Sequence, residues 1–126
     1  MIARSSAIFP VTPTADHTGL EGYFILPTGA LVSSATAAVP LGVITEGFET
    51  TRKDSVATHN FAGSVKVKLG GTPGSVVAGS YLVLNADATA KLDPGTGSRI
   101  RVARAIEAGV ANELIEAILI DPAILS

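Results

Sequence analysis

Two stretches of the chain resemble each other, and this near-repeat limits the fold more than any single residue does. The first copy comprises residues 22–29 and 40–47, and the second comprises residues 79–86 and 102–109. In each copy an apolar strand follows a glycine, a polar turn comes next, and a second strand ends in Glu and Gly. We therefore expect an all-β domain, a small barrel or sandwich built from two similar β-units.

The pattern divides the chain into an N-terminal arm and one domain. Residues 1–18 contain two prolines and several Ser and Thr, which predicts an extended arm, whereas residues 19–126 are expected to form a single β domain. The near-repeat covers about residues 22–70 and 79–120 of that domain. Predicted strands occupy residues 22–26, 38–45, 64–69, 80–85, 90–92, 99–106 and 113–120, with a short strand possible within 56–61.

Alternation within these strands predicts which side chains face outward. Lys66 and Lys68 alternate with valines, and Arg99 and Arg101 alternate with aliphatic residues, so both pairs are expected on solvated faces. Strand 113–120 is apolar on both faces, which predicts a central barrel strand or a subunit contact. The last residues, from Asp121 onward, are expected to leave the sheet at Pro122.

Charge and composition restrict the function classes. Only 16% of the 126 residues are charged and the net charge is −2, without a run of basic residues, which argues against nucleic-acid binding. A surface so short of charge predicts cover by another copy or a partner, and the alternative is an alanine-rich soluble domain. Residues 22–45 carry no charge, but their prolines and glycine favour a buried hairpin over a membrane span. The N-terminus lacks the apolar core of a signal peptide.

Residues that could carry chemistry are few. His17 and His59 are the only histidines, the chain has no cysteine, and neither histidine has ligands at a metal-binding spacing. The repeat matches Tyr23 with Tyr81 and Glu46 with Glu107. An acid–base pair of these glutamates is one interpretation, but hydrated turn residues are the simpler one. The glycine-rich segment 70–75 lacks the lysine of a phosphate loop. The sequence therefore predicts no catalytic residue, no metal site and no cofactor.

Three segments carry a family resemblance. Residues 78–92, 101–109 and 112–120 resemble the head decoration, or capsid cement, proteins of tailed bacteriophages. The shared pattern is a glycine-led apolar strand, a short polar turn, a strand ending in a Gly-Val-Ala-x-Glu-Ala-like segment, and a final strand of alternating aliphatics. Residues 22–47 and 62–70 look like a looser form of it, so the resemblance covers most of residues 20–120.

The resemblance implies a small β-barrel without enzymatic activity. Such a protein binds the major capsid protein on the outer surface of the assembled head, stiffens the shell by clamping adjacent subunits, and is assembled into virions in the host cytoplasm. Trimers are favoured and dimers remain possible. In this family an N-terminal arm often adds to the capsid, which implies capsid contacts for Ile8, Phe9 and Val11, with Arg4 as a polar contact. Ordinary terminal disorder is the alternative for this arm.

Two other function classes stay open at this stage. A carbohydrate-binding or tail-associated β-module would need aromatic stacking platforms, and the chain has no Trp, two Tyr and four Phe. A small hydrolase built on a β-barrel would need a polar pocket, for which the sequence offers no signature.

Overall fold

The computed structural model describes residues 8–59 and 61–126, and the regular structure of these residues consists of nine strands. Within these residues there is no helix, which confirms the all-β expectation. The strands are β1 Ile8–Val11, β2 Phe24–Ile25, β3 Gly42–Glu46, β4 Asp54–Thr58, β5 Val65–Lys68, β6 Tyr81–Leu84, β7 Ala90–Leu92, β8 Arg99–Ala105 and β9 Leu114–Leu125.

The strands pair into two antiparallel sheets. The four-stranded sheet has the order β1-β4-β3-β2, and the five-stranded sheet has the order β5-β9-β8-β6-β7. The predicted hairpin of residues 22–45 is present, because Phe24 pairs with Val43 and both are fully buried. The alternation in β5 is also as predicted, with Val65 and Val67 buried and Lys66 exposed.

Backbone hydrogen bonds curl the five-stranded sheet and join it to the other one. Leu69 and Ala90 form an isolated parallel bridge, so the end of β5 meets β7 across the sheet. The carbonyl of Gly22 accepts from the N–H of Lys68 at 3.0 Å, and the N–H of Gly22 donates to the carbonyl of Ile44 at 2.8 Å. A Cβ at Gly22 would collide with Leu114 and the Lys68 backbone, and φ is +90° there, so this junction requires glycine.

The two sheets pack face to face around one large apolar core. Phe24 and Val43 from the four-stranded sheet meet Leu82, Ile100 and Ile115 from the five-stranded sheet. Each of these large side chains contributes about 1.5–3 kcal/mol on complete burial. A second, smaller cluster lies on the opposite face of the four-stranded sheet, with buried Ile25, Ile44 and Val56 covered by Val11, Leu20, Leu31 and Leu41.

The sequence repeat appears as a repeated turn. In the first unit the N–H of Leu26 donates to Ala30 at 2.8 Å, and in the second the N–H of Asn85 donates to Thr89 at 2.8 Å. A positive φ occurs in each turn, 93° at Gly29 and 70° at Ala88. The equivalent positions therefore differ by 59 residues, so Tyr23 corresponds to Leu82, one residue from the Tyr81 suggested by the sequence.

Two predictions are wrong: the residue at which the last strand ends and the exposure of the arginines of β8. Strand β9 continues through Pro122 to Leu125, because Ile120, Asp121 and Pro122 form a bulge in its ladder with β8. A proline in a bulge interrupts no ladder hydrogen bond, so it does not end the strand.

The second wrong prediction concerns the arginines of β8. Their side chains are only 11% exposed at Arg99 and 29% exposed at Arg101, because the turn after β7 folds back and places the carboxylate of Asp93 between them. By contrast, β9 is an inner strand of its sheet and lies between β5 and β8.

Candidate functional site

The predicted capsid contacts fall on an edge strand. Ile8, Phe9 and Val11 belong to β1, which pairs antiparallel with β4 and ends the four-stranded sheet. Ile8 is 40% exposed and Phe9 is 52% exposed, whereas Val11 packs against the smaller apolar cluster. Arg4 lies outside the described residues. The structure thus brings three of the four predicted contacts together on one exposed strand.

A buried pair of polar side chains holds the chain that follows β1. His17 Nδ1 lies 2.5 Å from Asp54 Oδ2, with His17 1% and Asp54 0% exposed. Because a carboxylate accepts, Nδ1 carries the donated hydrogen. The other oxygen of Asp54 accepts from the N–H of Phe48 at 2.8 Å, and the N–H of His17 donates to the Phe48 carbonyl at 2.9 Å. Residues 12–20 are therefore fixed against the β3–β4 connection.

Sequence inspection missed this pair because its members are 37 residues apart. The local signal was Asp16, the immediate neighbour of His17, but Asp16 instead accepts from the N–H of Thr18 at 2.9 Å. Hydrogen bonds from Thr18 hold the pKa of Asp16 below its ordinary value.

A shallow groove runs beside β1. It has a volume of about 450 Å³ and is lined by Phe9, Pro10, Val11, Thr12, Pro27, Thr28 and Leu41. Pro10 has no N–H, and a proline is tolerated in an edge strand for that reason. The edge strand and its groove together form an apolar surface on which a flat apolar patch or an extended segment can pack.

A second apolar surface lies on the outer face of the five-stranded sheet. On β9, Leu114 is 40% exposed and Ile118 is 43% exposed, and Ile106, directly after β8, is 45% exposed. The residues of β9 that alternate with these, Ile115, Ala117 and Leu119, are buried in the main core. One face of β9 is therefore apolar because it lines the main core, whereas the other face presents apolar side chains to solvent.

The remaining histidine joins the two sheets. His59, which follows β4, lies 2.8 Å through Nδ1 from the carbonyl of Ile120 in β9, and its ring stacks on Phe24 with 6.5 Å between centroids. Nε2 is buried without a hydrogen-bond partner among the described residues. Burial lowers the pKa of His59 from its ordinary value, and the Ile120 hydrogen bond and the charge of Asp121 oppose this only partly.

The carboxylates weighed as an acid–base pair belong to different sheets. Glu46 ends β3 and is exposed, whereas Glu107 follows β8, is exposed, and accepts through Oε2 from the N–H of Glu116 at 2.6 Å. These are environments of hydrated turn residues. The glycine-rich segment after β5 contributes instead to an open groove of about 590 Å³, which is lined by residues 73–77 and 108–111 together with Glu113. Glu113 Oε1 accepts from the N–H of Val110 at 3.0 Å within the wall of this groove.

The most strongly paired carboxylate is Asp93. It accepts from Arg99 Nε at 2.5 Å, from Arg101 Nη2 at 2.6 Å and from the N–H of Gly95 at 2.8 Å. Burial would raise the pKa of Asp93, but these hydrogen bonds outweigh it and hold the pKa below its ordinary value. This cluster fixes the β7–β8 turn.

Arginine guanidinium groups cover part of two aromatic rings, Tyr81 and Phe48. The guanidinium of Arg101 lies 4.2 Å from the centroid of the Tyr81 ring and that of Arg104 lies 5.1 Å from it, while Arg52 lies 4.2 Å from the Phe48 centroid. These contacts reduce the ring surface that a carbohydrate could stack on.

The described residues show neither a metal-ligand group nor a membrane-spanning helix. Within residues 8–59 and 61–126, no three His, Cys, Asp or Glu side chains are grouped as metal ligands would be. Across the same residues, no helix of the length and apolar character needed to span a membrane is found. Comparison of the chain with protein-family models and with curated protein sequences gives no match.

Proposed function

We propose that this chain is a decoration, or capsid cement, protein of a tailed-bacteriophage head. It binds the major capsid protein on the outside of the assembled shell as a homo-oligomer, trimeric by preference, and stabilises the shell by clamping adjacent subunits. Its role requires binding without catalysis. The resemblance of residues 78–92, 101–109 and 112–120 supports this proposal, and these residues contribute strands β6 to β9 of the five-stranded sheet.

The observation that carries the proposal is exposed apolar surface on rigid strands. Phe9 on β1 and Ile118 on β9 are 52% and 43% exposed, in a protein with only 16% charged residues. Contiguous apolar surface on a sheet is a hallmark of protein-binding sites. Because β1 is an edge strand, a partner can reach its exposed side chains, although Pro10 lacks the N–H that a complete ladder with that partner would need.

Shell stabilisation then follows from linkage and multivalency. A ligand that binds the assembled lattice, but not dissociated subunits, stabilises the lattice by mass action. An oligomer that contacts several shell subunits at once gains an effective concentration that raises avidity by about 10²–10⁴ over one contact. No covalent chemistry is needed for either effect.

The test uses DNA-filled heads purified without this protein from the phage that encodes the chain. Wild-type protein should sediment with the heads and saturate them. Phe9→Ser should reduce head affinity by about tenfold or more, because it removes an exposed anchor. Val110→Ser is the matched control, since Val110 is 68% exposed in a loop away from β1.

A point substitution tests the β1 contact more cleanly than a deletion of residues 2–12 would. Such a deletion would remove β1 from its ladder with β4 and uncover Val56, which lies opposite Phe9. Full saturation of heads by the Phe9→Ser variant, at wild-type concentrations, would exclude β1 as a capsid contact. Absence of saturable binding by the wild-type protein would refute the decoration function itself, and retention on a glycan array would then favour a carbohydrate-binding module.

A further inference from the structure

The outer face of the five-stranded sheet has an ordered pattern of apolar and charged side chains. We call it the β9 face and define it by Leu114, Glu116 and Ile118 of β9 with Ile106 beside them. Leu114, Ile118 and Ile106 are 40%, 43% and 45% exposed. At its Leu114 end the face opens into a groove of about 370 Å³ at the junction with β3.

Cations border the β9 face on both sides. On β5, Lys66 pairs across the ladder with Glu116 and Lys68 pairs with Leu114. On β8, Arg104 pairs with Ile118, and its guanidinium lies over the ring of Tyr81 on β6. The aliphatic centre therefore has two lysines on its β5 side and one arginine on its β8 side, where Glu107 also accepts from the N–H of Glu116.

Internal carboxylates neutralise only part of this border. Lys66 Nζ lies 3.3 Å from Glu116 Oε1, and the side chain of Lys66 remains 53% exposed. A hydrogen bond from Ser64, opposed by burial and assisted by Lys66, holds the pKa of Glu116 below its ordinary value, so this carboxylate is engaged within the sheet. Among the described residues, neither Lys68 nor Arg104 has a salt bridge. The surface therefore keeps unneutralised positive charge on both borders.

The same charge pattern disfavours a twofold face-to-face dimer through this face. In a twofold face-to-face dimer, an axis along the strands places the β5 lysines of one copy over Arg104 of the other. An axis across the strands places lysines over lysines instead. Either arrangement opposes like charges around an apolar contact, which is destabilising. The charge pattern is complementary to a surface of the opposite sign.

We propose that the β9 face docks on the shell protein, on a patch that is apolar at its centre and carries carboxylates along both borders. This inference rests on the proposed decoration function and adds to it a second contact surface, separate from β1, with a stated chemistry. Burial of the aliphatic centre supplies affinity, while the charged borders fix orientation and accelerate association. Binding through this face weakens as salt screens the border charges.

The experiment measures binding to the same DNA-filled heads for two substitutions on the face and two matched controls. Ile118→Glu places a carboxylate in the aliphatic centre, and Val39→Glu is its control at 40% exposure in the connection between β2 and β3. Arg104→Glu reverses a border charge, and Arg52→Glu is its control, because Arg52 also covers an aromatic ring.

We expect Ile118→Glu and Arg104→Glu each to lower head affinity by about tenfold or more, and the controls to change it by less than about threefold. The affinity of Arg104→Glu should also depend less steeply on salt between about 0.05 and about 0.5 M than that of the wild type. Melting temperature and sedimentation velocity are measured in parallel for all variants, so that a folding defect is recognised.

The outcomes separate this inference from the proposed function. Wild-type protein that fails to bind heads overturns both. Saturable wild-type binding combined with unchanged binding by Ile118→Glu and Arg104→Glu overturns the β9 face and leaves the decoration function intact. A variant that loses its oligomeric state, and loses head binding only as a result, identifies the face as a subunit contact and also overturns the inference.

Discussion

The two sheets differ in how many of their faces are covered. The four-stranded sheet has an apolar cluster on each face, with Val43 in the main core and Ile44 in the smaller cluster. The five-stranded sheet is covered on one face only, because Ile115 is buried and its neighbour in the same strand, Leu114, is 40% exposed. Segments of the chain itself cover both faces of the first sheet and leave only its edge strand β1 to a partner, whereas the second sheet also offers an uncovered face.

The residues that cover the four-stranded sheet depend on a buried polar pair, which makes that sheet the more vulnerable one. We expect His17→Ala to lower the free energy of unfolding by about 3–5 kcal/mol, because the Asp54 oxygen that accepts from His17 would stay buried without a hydrogen bond. Urea denaturation measures this loss. His17→Ala combined with Asp54→Ala should be less destabilising than the sum of the single changes, and a loss below about 1 kcal/mol for His17→Ala would show that the pair does not hold the covering segment.

One isoleucine from each sheet tests the comparison directly. Ile44 is 1% exposed in the smaller cluster, whereas Ile118 is 43% exposed on β9. Ile44→Ala should cost about 2–4 kcal/mol in unfolding free energy, and Ile118→Ala less than about 1 kcal/mol. Equal losses would contradict the distinction between a covered and an uncovered face.

The repeated turns test a finer difference between the two units. At Gly29, φ is +93° and a Cβ would collide with the carbonyl of Thr12, so Gly29→Ala should cost about 2 kcal/mol or more. Ala88 already accepts φ of 70°, so Ala88→Gly relieves strain but loses a buried methyl group and should change stability by less than about 1 kcal/mol. Thermal unfolding of both variants decides this, and a tolerated Gly29→Ala would show that the turns are not constrained as described.

The smallest expected effect is the pH dependence of stability that arises from His59, which joins the two sheets. The pKa of His59 is lowered on folding, so the unfolded chain binds more protons below its ordinary pKa of 6.5. Stability should therefore fall as the pH falls from about 7 to about 5, through and below that value. His59→Gln should show a shallower decline in melting temperature over this range. Parallel curves for the two proteins would assign the pH dependence to other groups.

Local patterns predicted the fold class and much of the strand content. The sequence predicts the alternation of valine and lysine in β5 and the strands that follow glycines. Both features depend only on residues close together in the chain, so their spacing is visible in the sequence. The pairing of His17 with Asp54 and the path of β9 past Pro122 were not predicted, because they depend on contacts across 37 residues and on a bulge against β8. The enclosure of Arg99 by Asp93 likewise required the turn geometry.

The candidate surfaces were predicted in part. Ile8, Phe9 and Val11 were identified from the sequence as an apolar group and lie together on β1. The aliphatic residues of β9 were recognised on both faces, but only the fold shows that Ile118 is exposed and Ile115 is buried. The cationic borders were not recognised, since Lys68 and Arg104 lie on strands that are far apart in sequence and reach opposite sides of β9 only in the folded sheet.

The proposed role is that the protein binds the outside of an assembled shell and stabilises it by clamping adjacent subunits. The most direct test of this role is the number of copies bound per shell subunit. Purified protein is titrated onto DNA-filled heads that lack it, and bound copies are counted after sedimentation by quantitative mass spectrometry. The account predicts saturation at a fixed ratio set by the lattice symmetry of the shell. Binding that never saturates, or a complete absence of binding, would contradict it.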